Sequence, residues 1–540
     1  MFRRLARKLG FLSASRHQIP KHRSGAPEER QPLSARLDEN LKTLRELFGG
    51  SIDLTIREFI VGSRPDLRAA LVFLSGLVDK GTIDNQILRP LMVESVLAEK
   101  EGRLSPAQAP EQMAAGLITA CATKQIDTVG AAAHSIVSGE TLLLINGSGK
   151  ALVVDTRGWR SRNVEEPEAE VVVHGPREGF TEDLHINLAQ LRRKLRNPDL
   201  TIEVVTLGRQ TRTDVAIIYL RKVANPKVVE EVRQRLQQLD IDAALASGYI
   251  EEYIEDNSFS PFATVANTER PDVVVAKLLE GRVAIAVNGT PFVLTVPMLM
   301  VESFQSPDDY YSRPYYATVV RWVRYAGFAM SVLGPPAYVA LTTFHQELIP
   351  TPLLISMAVA REGTPFPVVL EALIMGLMFE VLREAGIRLP RPVGQAVSIV
   401  GALVIGESAV RAGLIAAPMV IVTAATAIAS FTVPAQADAA ALLRLSFTVL
   451  AGAMGAFGIG IGLMGTLIHL ASLRSFGTPY LSPLAPLSTE DLKDVLVRAP
   501  WWTMLTRPRA IGWHNPWRQQ ALQRPAPPDR AEKTDEGSGD

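Results

Sequence analysis

Glu371, Glu380, Glu407 and Arg411 are ionisable side chains set in or beside apolar runs, and Glu384 lies close to the second of them. The stretch VSIVGALVIGESAVRAG, residues 397–413, reads as a membrane helix until Glu407 interrupts it. A charge at the centre of a bilayer costs about 2.5–3.5 kcal/mol on insertion scales, so each such group needs a partner or a function. Glu407 and Arg411 are four residues apart, on one face of a helix. That spacing allows a local ion pair, with Arg411 reaching toward the interface. Carboxylates repeated around a symmetric oligomer would instead form rings that favour cations. A proton relay is the third reading. The candidate ion-pathway and gating residues are therefore Glu371, Glu380, Glu407 and Arg411.

The elements that must position them lie in the second half of the chain. Long apolar runs follow residue 325: 326–344, 367–382, 393–410, 412–433 and 445–471. About 20 apolar residues are needed for a helix to cross the hydrocarbon core. The run 367–382 is short and carries two of the glutamates. PTPLLISMAVA, with Pro350 and Pro352 at its start, reads as a re-entrant or interfacial helix. Arg313, Arg321 and Arg324 precede the first run and place the preceding region in the cytoplasm. Arg474, Lys493, Arg498, Arg507 and Arg509 place the C-terminal segment there too. Five crossings would put the two ends on opposite sides. Either one run fails to cross or another piece does. The dense glycines of GAMGAFGIGIGLMG imply close helix packing, a subunit contact or a flexible pore-lining helix.

The first 325 residues have the charge density of a soluble protein. MFRRLARKLGFLSASRHQIPKHRSG is basic and lacks a signal-peptide core, and residues 1–50 read as a basic tail with a short amphipathic helix. Residues 51–135 read as a first α/β subdomain and 136–312 as a second, α+β one. ETLLLINGSGKALVVDT is a hairpin turning at Asn146-Gly147. TEDLHINLAQLRRKLRN is a helix with Thr181 as its expected N-cap. VAIAVNGTPFVLTVPMLMV (283–301) is uncharged, but Asn288-Gly289 between two β-rich runs predicts a buried hairpin rather than a span. The expected fold is thus an α+β cytoplasmic N-terminal region of two subdomains, then a polytopic helical membrane domain over 313–478, then a cytoplasmic tail over 479–540, disordered at its end.

The 56 basic and 56 acidic residues cancel, so total charge selects no partner and gives no reason to expect nucleic acid. One cysteine, Cys121, rules out an intrachain disulfide framework. No Walker loop, dinucleotide fingerprint, GxSxG or HExxH occurs, and the eight histidines are scattered. The chain is expected to be non-enzymatic, without cofactor or metal.

Several blocks, in order, resemble one family: HGPREGFTEDLHINLAQLRRKL, SGYIEEYIEDNSFSPF, TERPDVVVAKLLEGRVAIAVNGTPFVLTVP, the run from FHQELIPTPLL to GALVIGESAV, and SLRSFGTPYLSPLAP. They are similar to the A subunits of spore germinant receptors, the GerA family, over roughly residues 53–510. The resemblance implies a nutrient sensor of the inner spore membrane. It implies a transporter-like B subunit that holds the nutrient and a lipoprotein C subunit as partners. It also implies a pentameric, nutrient-gated channel for monovalent cations, embedded in membrane lipid. The family pattern commonly has Gln and Ala where this chain has Glu407 and Ser408. Two rivals stand beside the channel: a non-conducting scaffold that signals by contact, and a secondary transporter, which inverted repeats with broken helices would mark.

Overall fold

The computed structural model describes residues 31–62, 67–94, 118, 122–158, 166–167, 170, 172–388, 406–512 and 515–519. Cys121, the basic N-terminal stretch and most of the run 393–410 lie outside the described residues.

The N-terminal region is built twice from one plan. The first unit comprises α1 (Leu37–Leu47), β1 (Leu54–Ile60), β2 (Arg68–Leu74), β3 (Thr123–Ile126), α2 (Val129–Val137), β4 (Thr141–Ile145) and β5 (Ala151–Val154). Its antiparallel sheet has the order β1-β2-β4-β5-β3. The second comprises α3 (Leu184–Lys194), β6 (Leu200–Leu207), β7 (Thr213–Leu220), α4 (Pro226–Gln237), α5 (Ser247–Ile254), β8 (Ala266–Thr268), α6 (Pro271–Glu280), β9 (Val283–Val287) and β10 (Val293–Val296). Its sheet order is β6-β7-β9-β10-β8, the same order shifted along the chain.

Strand β4 is buried along its whole length because both faces of its sheet are covered. Leu142 and Leu144 meet α1 and α2, while Leu143 and Ile145 meet Ile83, Ile87 and Leu91. In the second unit Ala284 and Ala286 face α3 and α6, and Val283, Ile285 and Val287 face α4 and α5. Alternate residues point to opposite faces, so two covered faces produce an unbroken apolar run. That is why 283–301 imitates a span in composition. It forms the β9–β10 hairpin, with Ile285 opposite Leu294.

The division expected at 135/136 falls inside α2, between two strands of the first sheet. Strand β4 pairs with β2, Ala70 opposite Leu144, so 140–154 belong to the first unit. The short N-terminal helix is part of that unit's core through Leu37, Leu41 and Leu44. The N-cap of α3 is Asp183, whose carboxylate accepts from His185 N at 2.8 Å, rather than Thr181.

A helical region follows: α7 (Pro314–Thr343), α8 (Thr351–Arg361), α9 (Val368–Arg388), a helical turn at 406–411, α10 (Ala417–Ser430) and α11 (Ala437–Ser472). Among the described residues, only Pro434–Ser472 is long and apolar enough to cross a bilayer by the joint test of helix length and composition. This element is not straight. Gly455 takes φ 61° and ψ −141°, outside the helical region, a conformation open to a residue without Cβ. The chain folds back there: a Cβ on Gly462 would lie 2.6 Å from the Phe447 ring, and Gly458 packs against the Leu450 carbonyl. The two ends meet at Tyr480, whose hydroxyl accepts from Gln436 Nε2 at 3.3 Å and whose N–H donates to Leu473 O at 3.1 Å. A straight 36-residue helix would hold its ends ~54 Å apart. The run 445–471, read as one span, is therefore the bend and parts of two antiparallel arms.

Candidate functional site

The expected carboxylates are not brought together. Each is met by an arginine. Glu371, on the first turn of α9, is fully buried; Arg361 of α8 lies 3.7 Å from it. The N–H of Ala416, at the start of α10, reaches its other oxygen at 3.4 Å. A helix N-terminus carries positive partial charge, so this position suits a carboxylate. Three helices thus converge on one side chain. Glu371 Oε1, Arg361 Nε and Tyr338 Oη are buried without a protein hydrogen-bond partner. Tyr338 of α7 packs in the same cluster as Val368, Ala372 and Ile415.

Glu380 lies near the middle of α9. It pairs with Arg383 at 2.7 Å and with the nearly buried Arg444 of α11. Arg444 also donates to Ser331 O of α7 at 3.3 Å, tying α9, α11 and α7 together. Glu384 pairs along its own helix with Arg388 at 2.5 Å. Glu407 and Arg411 form the local pair that their spacing permits, at 2.5 Å, with side chains 53% and 78% exposed. Arg361 and Arg444 were missed as partners: the sequence gives no spacing signal between residues that meet only through helix packing.

A second charged centre lies where the N-terminal region meets α7. Arg321 is fully buried, 3.2 Å from Asp309 and 3.0 Å from Asp494. Arg324 adds a contact to Asp309 at 2.8 Å. Tyr310 donates its hydroxyl to Asp494 at 2.7 Å. Burial first, and then the Asp494 carboxylate, push that hydroxyl well above its usual range. Arg498 donates to the carbonyl of Asp309 at 3.1 Å, and Trp322 donates to Leu496 O at 2.8 Å. Residues 309–310, the start of α7 and residues 494–498 are thus one joint. Arg321 and Arg324, read as flanking positive charge, are its structural bases.

The joint continues into the second unit. Glu302 accepts from Leu299 N at 2.7 Å and pairs with Arg282 and with Lys277, the latter at 3.3 Å. Burial would raise the Glu302 carboxyl, but Arg282 and Lys277 outweigh it and leave it lowered. Burial also lowers Lys277, against the attraction of Glu302. Arg507 reaches back to Leu279 O at 2.6 Å, so the chain after residue 479 straps the second unit to the base of α7. Among the described residues no cluster of His, Cys, Asp and Glu could hold a metal ion.

The family described as "Bacillus/Clostridium GerA spore germination protein" matches residues 42–510. "Spore germination protein KA" of Bacillus subtilis (strain 168) is 45% identical over 497 residues, covering 92% of this chain and 90% of that protein. "Spore germination protein GerLA" of Bacillus cereus is 39% identical over 482 residues, covering 89% and 96%. A crystal structure of the N-terminal domain of the A subunit of the Bacillus megaterium spore germinant receptor GerK3 is 38% identical, with a TM-score of 0.40, covering 50% of this chain and 98% of that one. On the match over residues 42–510 and the identity along most of its length, the chain belongs to the GerA family of spore germination proteins.

Proposed function

We propose that this chain is the A subunit of a nutrient germinant receptor, polytopic in the inner spore membrane, with its N-terminal region in the cytoplasm. It works with a B subunit that holds the nutrient and a lipoprotein C subunit. As a homo-oligomer, a pentamer on the family resemblance, it passes monovalent cations when nutrient is bound, and it catalyses no reaction. The observation that carries transduction is the buried joint Asp309–Arg321–Asp494, which ties the N-terminal region to the first long helix. A ligand or partner that favours one position of that region would favour one position of α7. Glu371, Glu380 and Glu407 with Arg411 remain the candidates for the ion path. Glu371 leads them, because an ionisable group buried among apolar helices requires a reason.

The test is cation flux from liposomes holding this chain with its B and C partners, with candidate amino acids and sugars added. Nutrient-dependent flux is expected, altered in Glu371→Gln. Flux unchanged in Glu371→Gln and Glu407→Gln would return both carboxylates to structural ion pairs. No flux from assembled, nutrient-binding complexes would sink the channel and leave the scaffold.

A further inference from the structure

The bend at Gly455 decides how the helical region meets a bilayer. Its tip packs on the residue that closes α7: a Cβ on Gly455 would lie 2.8 Å from Phe344 Cβ. The base lies at the other end of α7. Gln436 donates to Ser303 at 2.8 Å, and His469 Nε2 is 2.9 Å from Ser260 Oγ of the second unit. Between base and tip, Arg444 meets Ser331 of α7, and Ala440 and Phe447 pack with Val332. Both arms therefore run beside α7, from the N-terminal region to its far end.

Each arm measures ~25–27 Å at helical rise, close to the ~30 Å of a hydrocarbon core. From Leu445 to Leu473 the chain holds no Asp, Glu, Lys or Arg. Phe457, Ile461, Met464, Leu467 and Ile468 of the second arm are exposed, whereas Gly455, Gly458 and Leu470 are buried against the rest of the molecule. Gln436, Asp438, His469, Ser472 and Arg474 gather the polar groups at the base.

We propose that α11 is a transmembrane hairpin: both arms cross, the ends share the face of the N-terminal region, and the exposed side chains of the second arm meet lipid acyl chains. This rests on the membrane placement in the reading above, and not on channel activity.

The hairpin also removes the conflict in the count of crossings. Helix α9 starts beside the tip, Val369 against Gly452, and runs back to place Glu380 at Arg444. Helix α10 also runs back, with Thr426 against Gly334 and Thr432 against Gly327. Gly413 lies beside the Gly363 carbonyl, so α10 begins at the same end of the helices as α9. With two arms in α11 the number of crossings is even, and the basic C-terminal segment rejoins the N-terminal region.

The test is side-specific labelling of the full chain with a membrane-impermeant maleimide, in vesicles of both orientations, with Cys121→Ser as background. Arg36→Cys, Asp438→Cys and Ser472→Cys are expected to label from one face and Ala456→Cys from the other. Opposite faces for Asp438→Cys and Ser472→Cys would overturn the hairpin, and so would a tip not labelled from the far face. A spin-label distance between positions 438 and 472 in detergent separates fold from placement. A straight helix gives ~50 Å and the hairpin a distance under ~25 Å. A long distance overturns the fold-back itself; a short one with failed far-face labelling overturns only the crossing. Absence of ion flux leaves all of these readouts standing.

Discussion

At the scale of single residues, burial separates the pairs that matter from those that do not. Arg192 is nearly buried and holds Asp53 with two bonds, at 2.8 and 2.9 Å, while also reaching Ser51 Oγ at 2.9 Å. This pins the two N-terminal units together. Arg192→Ala leaves the Asp53 carboxylate without its cation, with only the Ser51 hydroxyl still donating to it, and should cost about 3–5 kcal/mol; Arg192→Lys should rescue little, because an ammonium cannot make the paired fork. Thermal unfolding reads both. Glu251 gives a pH signature. Burial first, and then the Glu255 carboxylate, push it up to about 7, against a hydrogen bond with Asn267. An acid with a raised folded-state pKa stabilises fully below its ordinary range and loses that contribution as pH rises through about 7. The advantage of Glu251→Gln over the wild type should grow between pH 5 and pH 8, to about 1–2 kcal/mol after allowing for its partial exposure. A constant gap would show that the carboxyl stays ionised throughout.

At the scale of elements, the two Asn-Gly turns show what the sequence made legible and what it hid. Both hairpins are readable from β-rich runs around a turn pair. The glycines take the positive φ, 87° at Gly147 and 96° at Gly289, and the asparagines do not. Instead, Asn146 Oδ1 accepts from Leu37 N and Asn288 Oδ1 from Leu184 N, each at 3.2 Å, holding the first residues of α1 and α3. Asn40 and Asn187 repeat the match, accepting from Ser34 N at 2.9 Å and from Thr181 N at 2.8 Å. The duplication therefore lies in LSARLDENL against FTEDLHINL and in INGSGKALVV against VNGTPFVLTV. It is hard to see in sequence because only positions facing the shared contacts repeat. Asn288→Ala should cost about 0.5–2 kcal/mol, as other lost helix caps do, while Asn288→Asp keeps the acceptor and should stay near the wild type. Equal losses for both would show that the amide rather than the oxygen is needed. The α11 bend was hidden for the opposite reason: glycines supply the freedom to fold back, but composition does not say which of them uses it.

At the scale of the whole molecule, the strap after residue 479 and the joint at Arg321 decide whether the N-terminal region and the helices move as one body. In sequence Arg321 carries only a flank's meaning, because its partner Asp494 lies far along the chain and meets it only in the fold. Asp494 supports Arg321 and Tyr310 together. Asp494→Ala leaves the guanidinium of a fully buried arginine with Asp309 as its one carboxylate beside the carbonyls of residues 494 and 495, a position in which losing an ionic partner costs about 3–5 kcal/mol. The cost should appear locally, as faster amide exchange over 306–313 and 490–500 in the detergent-solubilised full chain, because backbone opening there no longer breaks a satisfied network. Arg509→Ala is the control on the same strap. Its pair with Glu490 is more than half exposed on both sides, and its loss should change stability by under about 0.5 kcal/mol. Asp494→Ala should also weaken nutrient-dependent flux in the assembled receptor more than Arg509→Ala. Accelerated exchange with flux unaffected would keep the joint as a structural brace and remove it from the transmission path. Unchanged exchange would mean that Asp309 and the backbone carbonyls around Arg321 suffice to hold α7 in place.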